Sequence, residues 1–85
     1  MENYGYHTKR IDKGVYGDFS KVKEEFEELE DAWNNRKSVA LTICELADLY
    51  GSMKAFAEKT LNIPMEEIVK FSELTDEVYL SRKII

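Results

Sequence analysis

Residues Asp18–Asn35, DFSKVKEEFEELEDAWNN, decide the fold. Within them Phe19, Val22, Phe26, Leu29 and Trp33 recur at steps of 3, 4, 3 and 4 residues, which is the spacing of one helix face. Asp18, directly after Gly17, has the side chain of an N-cap, and Asn34-Asn35 marks a fraying end. The spacing therefore predicts a helix over 18–35 whose apolar stripe faces the core.

Working outward from this stretch, a second helix is expected from about Ser38, its N-cap, to Lys59. Its first half, Val39–Gly51, is apolar around most of its circumference, which predicts burial on more than one side. Gly51 inside it suggests a close helix approach, and Cys44 reads as a small hydrophobe in the same run. The short connection around Lys37 makes the two helices an antiparallel hairpin. Asn62-Ile63-Pro64 ends the second helix, and Pro64 suits the opening of a third. Met65, Ile68, Phe71, Leu74 and Val78 supply a stripe that carries the third helix to about Leu80. Trp33, Phe56 and Phe71 on these stripes read as core or interface residues.

Toward the N-terminus the pattern disappears. Residues 1–17 hold Gly5, Gly14 and Gly17 among polar residues and read as an irregular, locally basic arm. Tyr4, Tyr6, Val15 and Tyr16 are available there to dock onto the rest. The division is an arm over 1–17 and a helical domain over 18–85.

The chain has 85 residues, a length for one domain, with 12 Lys and Arg against 17 Asp and Glu for a net charge of −5. That balance disfavours a nucleic-acid partner, since phosphate contacts draw on a surplus of Lys and Arg. Hydrophobic residues at 44% support a packed core, and no apolar run has the length of a membrane span. With Cys44 alone there is no internal disulfide, and no export signal opens the chain, so a cytoplasmic setting is expected. A domain this small buries only about 60–65% of its unfolded surface, which favours a partner subunit.

Chemistry concentrates in the two hairpin helices. Six of the eight residues Glu24–Asp31 are acidic, and they repel one another across i,i+3 and i,i+4. Lys21 and Lys23 are close enough to offset part of this. A solvated helix face is one reading of the run; a bound cation is the other. Glu25 and Glu28 each precede a stripe residue and so border the buried seam.

In the second helix Glu45 and Asp48 are the only charges between Val39 and Gly51, and at i,i+3 they share a face. Carboxylates in such surroundings need a Lys or Arg from another element, or a metal ion. A hairpin lets Glu25 and Glu28 converge with Glu45 and Asp48. An oxygen-only set selects a hard cation, Mg²⁺ by default and Mn²⁺ as a second option. Such a site binds substrate phosphates, polarises a phosphoryl oxygen and activates water. His7 lies in the arm without a ligand-spaced partner and is assigned no metal or catalytic role. A Gly-rich phosphate loop and a Ser/His/Asp set are both missing.

Glu24-Glu25-x-x-Glu28 followed by Glu45-x-x-Asp48 resembles the EExxE…ExxD signature of the MazG-like all-α nucleoside triphosphate pyrophosphohydrolases, a superfamily that includes phosphoribosyl-ATP pyrophosphohydrolase. Residues 23–32, 45–50 and 61–68 are similar to the family around that signature, and Lys13–Lys21 looks like its short phage-encoded members. The likeness spans roughly residues 13–70.

It implies an all-α fold in which the hairpin and third helix are completed into a helical bundle by homo-oligomerisation, as a homodimer or homotetramer. It implies hydrolysis of a nucleoside triphosphate, or a related nucleotide, between the α and β phosphates. In that reading Glu25, Glu28, Glu45 and Asp48 hold Mg²⁺, with Glu24 and Glu25 as the catalytic carboxylates. Lys13, Lys21, Lys70 and Arg82 are the candidates for phosphate contacts. The alternative on the same fold is a protein that binds or sequesters a nucleotide without turnover.

Overall fold

Each helix begins where the sequence supplies a cap. Asp18 is extended (φ −103°, ψ 159°), and its carboxylate accepts the Ser20 N–H at 3.0 Å to start α1, Phe19–Asp31. The helix then widens into a π-helical turn, Ala32–Arg36, and Lys37 reverses the chain in the left-handed region at φ 51°. Ser38 caps α2, Val39–Lys59, by accepting the Leu41 N–H at 3.2 Å on its hydroxyl. Asn62, at φ 57°, and Pro64 lead into α3, Met65–Ile84, which runs past Leu80. The computed structural model describes residues 7–84, with side chains described for 7–80. Among the described residues it is all-helical with no strand, as expected; Tyr4 and Tyr6 and the Arg82 side chain lie outside them.

The hairpin is antiparallel. Phe19, opening α1, meets Phe56 near the end of α2 edge-on with centroids 5.8 Å apart, and the Thr60 hydroxyl donates to the Gly17 carbonyl. Among the helices α3 touches only α2. The radius of gyration is 15.8 Å, against about 12 Å for a compact domain of this length.

The interior of this hairpin overturns the expected polarity. The predicted stripe is only partly covered within one chain: Val22 and Leu29 are half-buried, but Phe19, Phe26 and Trp33 are 60%, 52% and 61% exposed. Buried in its place are Glu24, Glu25, Glu28 and Asp31 of α1 and Glu45 and Ser52 of α2, with Ala32, Ala55 and Ala57 as the buried apolar residues. Nor is α2 covered on several sides, since Val39, Ile43, Leu46 and Tyr50 are exposed, as is Cys44. Space around Gly51 is open, so within one chain it mediates no close helix approach. Phe71 is exposed too, and Phe56 is half-buried. The physical reason is that helical spacing marks a face without saying what it meets. The α1 carboxylates form their own stripe at positions 24, 28 and 31: Glu28, with Glu25 beside it, meets Glu45 of α2, while Glu24 and Asp31 are met by Gly14 and Thr8 of the arm. The apolar faces are left for another surface.

Candidate metal centre

The acidic seam is assembled by the hairpin and closed on one side by the arm. Glu25 and Glu28 project from α1, and Glu45 and Asp48 from α2. One carboxylate oxygen of each lies within 4.8 Å of the others, so the four residues expected to converge do so. Glu25, Glu28 and Glu45 are buried at 6%, 8% and 1% exposure, whereas Asp48 is exposed at the rim. Beside it, Tyr16, Lys21, Gly51 and Ser52 line a cleft of about 250 Å³ that also reaches Glu25 and Asp48. Gly51 therefore serves at the mouth of the site, where a missing side chain leaves room.

Electrostatics show the strain of this arrangement. Burial, followed by Glu25 as hydrogen-bonding and charged neighbour, pushes the Glu28 carboxyl up to about 8. Burial and the adjacent Asp48 charge also push Glu45 up. Oε2 of Glu25 and Oε2 of Glu45 are buried without a hydrogen-bond partner. Orphaned buried carboxylate oxygens are costly unless a cation or donor meets them. The donor set is all oxygen, so these four residues fit a hard divalent cation.

Glu24 stands apart from the four. Burial opposes its ionisation, but the Gly14 N–H at 2.7 Å and the Lys21 ammonium at 3.1 Å outweigh that and hold its pKa down. Its position is that of an anchor for the arm and for Lys21, which bridges to Glu25 at 2.9 Å. Hydrogen bonding to Glu25 raises the Lys21 pKa, so the ammonium is committed to the acidic edge. Lys13 is exposed, with Nζ 3.9 Å from Glu24. Lys70 is not brought to the seam: it sits 3.7 Å from Glu67 and borders a groove with Tyr50 and Lys54.

Two residues of the site escaped the sequence reading. His7 was given no role, yet Nε2 lies 3.4 Å from Glu28 Oε1, and its ring can join Glu28 and Glu45 as a ligand set. Asp31, 0% exposed, accepts from the Thr8 N–H at 3.1 Å, from the Thr8 hydroxyl, and from Asn35 Nδ2 at 2.8 Å. Burial works against its charge, but these donors prevail and hold its pKa down at about 2. Asp31 was legible as the next member of the 24, 28, 31 stripe. Nothing in the spacing from His7 to Glu28 could have signalled their contact.

Comparisons with protein-family models, with curated proteins and with solved structures found no match to this chain.

Proposed function

We propose that this chain is a Mg²⁺-dependent nucleotide pyrophosphohydrolase that cleaves a nucleoside triphosphate, or a related nucleotide, between the α and β phosphates. The observation that carries the reading is the convergence of Glu25, Glu28, Glu45 and Asp48 beside an open cleft, with two buried oxygens unpartnered. When bound there, the cation neutralises phosphate charge and activates a water. The chain's own residues then divide the remaining work. The four carboxylates would hold the cation. Lys21, 2.9 Å from Glu25 Oε1, orients Glu25 so that its unpartnered Oε2 is the oxygen left for the cation and the attacking water. Glu24 positions Lys21 and the arm, and Tyr16 at the cleft bounds the space open to the nucleotide.

Two copies of the chain, as a homodimer or as the unit of a homotetramer, cover the apolar faces of α1 and α2 and complete the bundle. The setting in this reading is cytoplasmic, and among the described residues no helix is long and apolar enough to cross a membrane. A second reading, nucleotide binding without turnover, draws on the commitment of the Lys21 ammonium to Glu24 and Glu25.

Incubation with Mg²⁺ and a panel of canonical and non-canonical nucleoside triphosphates tests both readings by pyrophosphate and monophosphate formation. The enzyme reading expects the two products in equal amounts from one or a few substrates, with loss of at least about 100-fold in Glu45→Gln, as for removal of a principal electrostatic group. Saturable binding with no product favours the second reading. Orthophosphate as the first product contradicts cleavage at the α–β position.

A further inference from the structure

His7 is held over the acidic seam by contacts that belong to the arm. Thr8, its neighbour, donates both its backbone N–H and its hydroxyl to the buried Asp31. The imidazole, 14% exposed, is thereby set between two carboxylates. Nδ1 faces Asp31 Oδ2 at 3.6 Å, and Nε2 faces Glu28 Oε1 at 3.4 Å. Asp31 on the Nδ1 side, itself held by Thr8 and Asn35, orients the ring with Nε2 toward Glu28. Ligating imidazoles are oriented by an outer carboxylate in this way.

A ring nitrogen of His7 and one oxygen each of Glu28 and Glu45 lie within 4.8 Å of one another. A separate observation also points to a ligand. Glu45 is 1% exposed, and its Oε2 has no hydrogen-bond partner. A buried anionic oxygen without a donor is the group a cation would satisfy.

We propose that His7, Glu28 and Glu45 form a second divalent-cation position, with one nitrogen and two oxygen ligands, that prefers Mn²⁺ to Mg²⁺. It rests on the metal-dependent reading above, because it shares Glu28 and Glu45 with the all-oxygen set, and it adds the arm as a contributor of ligand. Mg²⁺ is poorly suited to imidazole, whereas later divalent metals accept it readily. The two positions therefore sort cations by donor chemistry: oxygen only beside the cleft, nitrogen and oxygen beneath the arm.

His7 is the single histidine of the chain, so any imidazole signal in this protein comes from it. Pulsed electron paramagnetic resonance on the full chain, with substoichiometric Mn²⁺ added against excess Mg²⁺, reads the ligand directly. Nitrogen hyperfine coupling from imidazole is expected in the wild-type spectrum and is expected to vanish in His7→Ala. The stoichiometry of Mn²⁺ binding should fall by one per chain in that variant, while stabilisation by Mg²⁺ persists. The wild-type spectrum decides by itself if His7→Ala does not fold. Bound Mn²⁺ with only oxygen and water ligands overturns the proposal and leaves the all-oxygen centre standing. Failure to bind either Mn²⁺ or Mg²⁺ overturns both.

Discussion

Glu28 stands in the seam with Glu25 on its own helix and Glu45 across from it, and its carboxyl is pushed from 4.5 up to about 8, by burial first and by its acidic neighbours second. Between those two values the folded, metal-free protein keeps a proton that the unfolded chain has released. Stability must then fall as pH rises through that window, because the folded state is the one binding more protons. A cation requires the ionised carboxylate, so stabilisation by Mg²⁺ should grow over the same range. Thermal unfolding with a chelator at pH values from about 4.5 to 8 is expected to give a declining melting temperature, and Glu28→Gln should flatten the decline. A wild-type profile that rises across the window would contradict a proton held at Glu28. At this scale the sequence already placed Glu25, Glu28, Glu45 and Asp48 together, since i,i+3 spacing on two antiparallel helices leaves little choice. His7 was illegible because its contact is made by an irregular arm, where no period relates sequence separation to distance.

Helix α1 owes its start and its orientation to the segment before it. A Cβ on Gly14 would lie 2.3 Å from the Ser20 carbonyl carbon and 2.4 Å from the Lys21 nitrogen, both of them backbone. The same glycine donates its N–H to Glu24, and the Val15 N–H donates to the Ser20 hydroxyl at 3.0 Å. Gly14→Ala therefore forces the arm off the first turn of α1 and strips Glu24 of a donor. The expected loss is about 2 kcal/mol or more in denaturant unfolding, within the range for overpacking plus a lost buried hydrogen bond. An alanine variant as stable as wild type would show that the arm does not lie against α1. The helix boundaries were readable from capping residues: Asp18, Ser38 and Pro64 each act where their chemistry predicted. Which face of α1 turns inward was not readable, because the apolar and acidic stripes share the same period. The choice between them depends on what the opposite surface offers, and the residues α2 buries are Glu45, Ser52, Ala55 and Ala57 rather than its large apolar side chains.

Among the described residues many large apolar side chains face outward. Phe26 on α1, Trp33 in the π-helical turn, and Ile43, Leu46 and Tyr50 on α2 are about half exposed or more, and α3 adds Phe71, Leu74 and Val78. Exposed apolar surface on this scale marks an interaction site in a folded protein. Self-association that covers it predicts a solution mass of at least twice the 9.9 kDa chain in light scattering. Leu46→Lys, placing a charge in the covered face, should shift the population toward monomer at micromolar concentration. A wild-type monomer at those concentrations would contradict the assembly. The proposed chemistry depends on a cation meeting the buried carboxylates of the seam, so that is the point to test. Isothermal titration of Mg²⁺ into the wild-type protein and into Glu45→Gln tests it most directly. The account predicts saturable binding in the wild type and its loss in the variant, with the variant still helical. Equal binding by both proteins, or no binding by the wild type, would contradict it.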